Sequence, residues 1–433
     1  MNAVTSRFMK VLIAVYIAKQ LLTVFVFPPF TGHDEVAHFQ YVRVLATESR
    51  VPTLYSHRLP EDLYGYRAYS IAWNDGGKAP LYTAVHPPLY YVLMSPVYWA
   101  ARKLSPEQIQ YVLRCAAIPF GIIVVVLASA LTRIVFPKDA FLAITVPTVV
   151  AFQPQVSYEA AMVNNDIVIV AIYSLLLYLL VLTVRDGLTI RRAAVIGLVA
   201  GVALLAKATA ITSVVLMPLA FWMARRQDSW AAPARATGVA YGLLVAIAAP
   251  WWWFMAHAYG DPMAFSALAA TQPDLTRNEP FLSLLFSGQF LVDRWAETWG
   301  EFGWKLIPIN GNVTFCLALV TVAGLMGVFR YASDRDTPGS LKPWQTHALV
   351  LLAVACLTSY LAVVQFGTHF VLTQARYYFP VVNAATLLIM LGLRAWIPVS
   401  WRVPACAVIV MAAIALNIGI YTIYVVPYWH FRA

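Results

Sequence analysis

Long apolar runs alternate with short polar breaks along this chain. A bilayer-spanning helix needs about 20 apolar residues. Eleven segments approach or meet that length: 8–28, 111–132, 140–153, 167–184, 193–206, 208–223, 236–257, 311–329, 346–366, 377–393 and 403–425. Two of them, 140–153 and 193–206, are short and are expected to extend into their flanks. The stretch His86–Lys103 is ambiguous, being aromatic and apolar but holding Pro96 and ending in Arg102-Lys103. After the first run, Val36, Phe39, Val42 and Leu45 recur at helical spacing and predict a short amphipathic helix from Asp34 to Ser49. The 50–85 stretch, rich in Tyr, Pro and Gly, reads as irregular loop. The pattern predicts an all-α polytopic membrane protein. It forms one transmembrane domain over 1–433, with about eleven spanning helices and additional helices at the membrane surface.

Composition agrees. The chain is 61% hydrophobic and only 12% charged, where soluble domains carry about 25% charged residues. The net charge of +10 would suit nucleic acid, but its distribution suits a membrane better. If 86–103 does not cross, the N-terminus and the loops 133–139, 185–192, 224–235, 330–345 and 394–402 share one side. Together they carry fifteen Lys or Arg and five acids, which is the whole net charge. Positive residues mark the cytoplasmic side. The segments 29–110, 154–166, 258–310, 367–376 and the turn at Lys207 are therefore expected outside, and no nucleic-acid partner is expected. The first span follows Arg7 and Lys10 with no small-residue cleavage site, so it reads as retained. Cys115, Cys316, Cys356 and Cys406 lie in apolar runs without metal or disulfide spacing and read as free thiols.

Candidate chemistry gathers on the outer segments. Thr31-Gly32-His33-Asp34-Glu35-Val36-Ala37-His38 sets two carboxylates between two imidazoles just beyond the first span. A hydroxyl attacking an activated sugar needs a carboxylate base, and Asp34 and Glu35 are the first candidates. Asp34 also has the simpler role of capping the helix that follows it, and both stay open. His86-Pro87-Pro88-Leu89-Tyr90-Tyr91 fixes a histidine at a rigid helix entry. Two readings stay open: His86 or the nearby Lys78 contacts a lipid phosphate, or His86 is simply an exposed residue at a helix start. In the second outer loop, Glu159 and Asp166 compete as a second acid, and Asn164 and Asn165 suit helix caps. Lys207 between two apolar segments is expensive without a partner or purpose; it either binds phosphate or snorkels. Lys19 and Gln20 in the first span lean toward a structural role. Arg376, in Gln374-Ala375-Arg376-Tyr377-Tyr378-Phe379-Pro380, has the geometry to grip a phosphate bidentately. The 258–310 loop holds Trp295, Trp299, Trp304, Phe302, Glu297 and Glu301, which suit an interfacial belt or a sugar-stacking wall.

In this order, the motifs resemble the GT-C superfamily of membrane glycosyltransferases, especially lipid A aminoarabinose transferases and protein O-mannosyltransferases. The resemblance covers most of the chain. It implies a GT-C fold, a bacterial plasma-membrane location and an active-site face built from outer loops. It implies a polyprenyl-phosphate sugar donor and inverting attack by a lipid-linked glycan, polysaccharide or lipid acceptor, with Asp34 as base and Glu35 and Asp166 beside it. Contacts to substrate or lipid phosphate would come from His38, Lys78, His86, Tyr90, Glu159, Asn165, Lys207, Arg376 and Tyr377. Some relatives have Lys where this chain has His86. A divalent cation (Mg or Mn) held by Asp34 and Asp166 is permitted but not required. A transporter, flippase or non-catalytic binder of lipid-linked sugars is the rival reading.

Overall fold

The computed structural model describes residues 3–63, 66, 79–225, 229–333, 341–371 and 373–431. Each of the eleven predicted apolar segments is helical. Among the described residues, eight helices are long and apolar enough to cross a membrane, and the chain is a multi-pass membrane protein. The first is α1 (Ala3–Val26), followed at once by α2 (Glu35–Glu48) and α3 (Leu89–Ala101). The bundle continues with α4 (Pro106–Val135), α5 (Ala140–Phe152), α6 (Pro154–Glu159), α7 (Asp166–Asp186), α8 (Ile190–Ala206), α9 (Ser213–Met223) and α10 (Ala231–Tyr259). Three short helices follow, α11 (Phe265–Thr271), α12 (Phe281–Leu285) and α13 (Gly288–Trp299). The last spans are α14 (Gly311–Ser333), α15 (Pro343–Gly367), α16 (Val382–Trp396) and α17 (Arg402–Gly419).

Three predicted spans stay below about 20 residues, although the 193–206 segment extends to Ile190 as expected. α5 has 13 residues and α8 has 17. The 208–223 segment is a short 3-10 turn followed by the 11-residue α9. Polar residues set these limits. The Asp139 side chain caps α5, accepting from the Leu142 amide at 3.0 Å. Lys207 leaves the helical conformation (φ −162°, ψ 143°) and separates α8 from the turn after it. α3 has 13 residues, about 20 Å at 1.5 Å per residue, short of the ~30 Å hydrocarbon core. It packs beside α2 and α4, in keeping with a helix that does not cross.

α7 is the central helix, with 72% of its apolar window buried inside the protein, and it packs against α4, α8, α9 and α15. Small residues allow the closest approach elsewhere, where the backbones of Gly392 on α16 and Gly324 on α14 meet with no room for a β-carbon. The two ends of the bundle differ. One end holds the N-terminus of α7, the turn at Lys207 and the start of the 375–381 segment. The other carries basic loops tied by ion pairs, Arg394 with Asp139 and Arg185 and Arg192 with Asp186.

Candidate active site

The site starts from the turn between α1 and α2. Asp34 sits in the left-handed region (φ 57°, ψ 13°) and makes no side-chain cap to α2, so the capping role does not hold. Its carboxylate turns the other way, into a cluster. Oδ1 accepts from the Tyr82 hydroxyl at 2.8 Å, and Oδ2 is paired with Arg376 Nη2. The other terminal nitrogen of Arg376 donates to Asp166 Oδ2 at 3.1 Å. Asp166 Oδ1 accepts from Lys207 Nζ at 2.5 Å. Two carboxylates and two cations from four separate segments thus alternate in one chain of contacts.

Each member is held from behind. Asn164 accepts from the Asp166 amide at 2.9 Å and donates to Glu159, fixing the start of α7. Asn165 donates to the Ala206 carbonyl, tying α7 to the residue before Lys207. Lys207 Nζ lies 4.6 Å from the centre of the Tyr377 ring. Buried Glu297 of α13 accepts from the Ala375 amide at 2.9 Å, one residue before Arg376, while Arg294 and Lys305 balance its charge. The acid in the Trp-rich loop is therefore an anchor for the Arg376 segment.

Glu35 does not join the site, contrary to its expected catalytic place. It is fully buried and points to Arg114 on α4, at 2.9 and 2.6 Å. It also accepts from the Gly32 and Val163 amides at 2.8 Å each. Arg114 spends its remaining N–H groups on the carbonyls of Val24, Phe27 and Pro28, so all five guanidinium donors are used. This pair locks the end of α1, the Asp34 turn and the loop before α7 to one another. Glu159 also lies apart. It is 2% exposed, 3.2 Å from His33 Nδ1 and bonded by Gln155 and Asn164, and Asp166 is the acid that shares a cation with Asp34.

The rings of His38 and His86 lie 5.8 Å apart, tilted by 44°, and His38 Nδ1 lies 2.8 Å from the Tyr91 hydroxyl. Tyr90 is buried against His38. Lys78 lies outside the described residues. Sequence reasoning missed Arg114 and Tyr82. An arginine inside a predicted span was the available signal for the first; nothing local marked the second.

Burial pushes the Asp34 carboxyl up, but the Arg376 guanidinium outweighs it and holds the group well below the usual carboxylate range. Burial, then the neighbouring His86, keeps His38 neutral. Burial and Lys207 lower His86 to about 4. The unfolded chain takes up protons on these histidines from about pH 6.5 downward, and the folded chain does not until about pH 4 for His86. Stability is therefore full above that window and falls as pH drops through it. Melting followed from pH ~7 to ~4.5 should show this fall, reduced in His86→Gln; a flat or rising Tm contradicts it.

The sequence permits, without requiring, a divalent cation held by Asp34 and Asp166. The position between Asp34 and Asp166 is taken by the Arg376 guanidinium, with Lys207 on the second carboxylate. Among the described residues, no three His, Cys, Asp or Glu gather as a ligand set. The residues as arranged do not fit a metal ion.

Above the cluster opens a cavity of about 400 Å³. Asp34, Tyr82, His86, Lys207, Gln374 and Tyr377 supply its polar side; Phe265, Leu268, Leu275, Val363, Phe366 and Phe370 supply much of its apolar wall. Beside this wall the Val371 amide donates to the Leu275 carbonyl and the Arg277 amide to the His369 carbonyl, tying the two stretches together.

No protein-family model and no curated protein sequence matches the chain. Solved structures do. The chain is similar to the Archaeoglobus fulgidus oligosaccharyltransferase in complex with zinc and sulfate, with TM-score 0.56 and 15% identity over 96% of this chain and 53% of that one. The apo form of that protein gives TM-score 0.53 at 13% identity, over 95% of this chain and 55% of that one. ArnT from Cupriavidus metallidurans bound to undecaprenyl phosphate gives TM-score 0.50 at 14% identity, over 95% of this chain and 70% of that one. The chain thus spans about half the length of the oligosaccharyltransferase. At these identities the likeness is one of architecture, and the chain has the fold of the GT-C membrane glycosyltransferases.

Proposed function

We propose that this chain is a glycosyltransferase that moves a sugar from a polyprenyl-phosphate-linked donor to an acceptor hydroxyl outside the cytoplasm. The observation that carries the reading is that Asp34 and Lys207 stand on the wall of a cavity that is otherwise largely apolar, joined behind that wall through Arg376 and Asp166. An amphiphile with a phosphate head and an isoprenoid tail matches both halves. The bound lipid phosphate in the ArnT neighbour is in keeping with it.

The residues divide the reaction among them. The acceptor oxygen attacks the anomeric carbon and forms the new glycosidic bond. The bond from that carbon to the phosphate oxygen breaks, and its electron pair leaves with the polyprenyl phosphate. The acceptor proton passes to Asp34. Lys207 and Arg376, with neutral His86 as a hydrogen-bond partner, stabilise the departing phosphate charge. Paired with Arg376, Asp34 is a weak base. A bound phosphate competes for the same guanidinium and raises the basicity of Asp34 where the acceptor arrives. Asp166 keeps Lys207 and Arg376 in place, Tyr377 forms part of the polar wall, and His38, Tyr90 and Asn165 support it from behind. Glu35 and Glu159 act as structural acids.

The reading takes 1–433 as one transmembrane domain whose face is built from 29–110, 154–166, 258–310 and 367–376. The basic loops at the opposite end support an orientation with this face outside the cytoplasm, and the reading places the protein in a bacterial plasma membrane. The purified protein should carry a co-purifying polyprenyl phosphate or its glycoside, identified by mass spectrometry of extracted lipid. Failure to retain or bind any polyprenyl phosphate overturns the proposal.

A further inference from the structure

The two oxygens of Asp34 are held from different parts of the fold. Arg376 comes from the 375–381 segment, which Glu297 anchors through the Ala375 amide. Tyr82 comes from the 3-10 turn Tyr82–Val85, and that turn is fastened to α2, the helix that follows Asp34. Thr83 Oγ1 donates to the Ala37 carbonyl of α2 at 2.9 Å, and the Tyr41 hydroxyl of α2 donates to the His86 carbonyl at 3.4 Å, just beyond the turn. The Tyr82 hydroxyl, 2.8 Å from Asp34 Oδ1, is therefore tied to the carboxylate independently of the Arg376 segment. Asp34 and Tyr82 both line the cavity, whereas the Arg376 side chain, 5% exposed, stands behind its wall.

That difference matters once a phosphate competes for Arg376. Asp34 then loses its main counter-charge while still sheltered from water. Burial pushes a carboxyl up, and a hydrogen bond given to the charged form holds it down. Tyr82 can give that bond at any working pH, because burial, then the Asp34 anion, hold its phenol well above the usual range. The other groups facing Asp34 do not replace it. His38 is kept neutral, and His86 stays neutral above about 4. The Tyr91 hydroxyl is engaged with His38, and Tyr377 presents its ring to Lys207. Asp166 and Lys207 meet Asp34 through Arg376.

We propose that Tyr82 is a positioning residue for the transfer, its hydroxyl holding Asp34 ionised and aimed into the cavity while the lipid phosphate occupies Arg376. The inference rests on the glycosyl-transfer reading above and adds a residue to the same site. In the resting protein Tyr82 and Arg376 share the carboxylate. In the loaded protein Tyr82 keeps it, so the base gains strength without losing its direction.

The test is binding of polyprenyl phosphate, carrying no sugar, to full-length protein in detergent between about pH 5.5 and about pH 8. Wild type, Tyr82→Phe, Asp34→Asn and the double variant are compared as ratios at each pH, which cancels the titration of the lipid phosphate itself. In Tyr82→Phe, loading strands the Asp34 carboxylate unless it takes up a proton. Affinity should therefore fall about tenfold at pH ~8 and recover most of that loss at pH ~5.5. In the Asp34→Asn background the tyrosine change should cost less than about twofold. A loss that is equal at both pH values, or that persists beside Asp34→Asn, makes Tyr82 a packing or lipid-binding residue and overturns the inference, as does no loss at all. If the phenylalanine variant does not fold, the ratio of wild-type to Asp34→Asn affinity decides. It should be flat over this range, and wild type gaining on the asparagine variant as pH falls overturns the inference. Absence of binding to wild type instead overturns the glycosyl-transfer reading itself.

Discussion

Asp34→Asn is expected to lower turnover by about 10²–10⁴-fold, the usual contribution of a positioned acid or base, while polyprenyl phosphate still binds. Asparagine keeps an oxygen for the Tyr82 hydroxyl, 2.8 Å away in the native protein, and nearly the same volume. It cannot take the acceptor proton. It also removes one of the two carboxylates on Arg376, which leaves that guanidinium freer for a phosphate. Donor affinity should therefore stay or rise as turnover falls, and that opposite movement marks a base rather than a binding group. A transporter or passive binder of lipid-linked sugars has no proton to move, and the same variant would leave its function nearly unchanged. Turnover near wild type in the asparagine variant contradicts the assignment.

Arg114→Met should be the most destabilising single change at this end of the bundle. Arg114 and Glu35 are each fully buried. Loss of the guanidinium strands a buried carboxylate, and the carbonyls of Val24, Phe27 and Pro28 lose its N–H groups. Breaking a buried ion pair from one side costs about 3–5 kcal/mol. Adding Glu35→Gln removes the stranded charge, so the double variant should recover part of the loss. Thermal unfolding in one detergent checks both. A fall no larger than the ~1 kcal/mol of a surface pair, or a double variant worse than the sum of the singles, contradicts the lock.

Much of this was legible in one sequence because membranes impose long apolar periods and one-sided charge. The helices follow from those periods, and α2 from Val36, Phe39 and Val42. Asp34, Asp166, Lys207 and Arg376 stood out because charge is rare in this chain and all four fell on segments assigned to one side. The pairings were not legible. Glu35 and Asp34 are neighbours with the same chemistry, yet a left-handed Asp34 sends one to Tyr82 and Arg376 and the other to Arg114, 79 residues away. The choice between Glu159 and Asp166 likewise depends on where Asn164 and Arg376 lie.

The central claim is that Lys207 and Arg376 hold the lipid phosphate beside Asp34. A structure determined with a polyprenyl-phosphate sugar bound tests it most directly. The account predicts phosphate oxygens within hydrogen-bonding distance, ~3 Å, of Lys207 Nζ and the Arg376 guanidinium. The anomeric carbon should face Asp34, and the tail should run along Phe265, Phe366 and Phe370. A head group seated elsewhere, with the Asp34–Arg376–Asp166–Lys207 chain undisturbed, would contradict it.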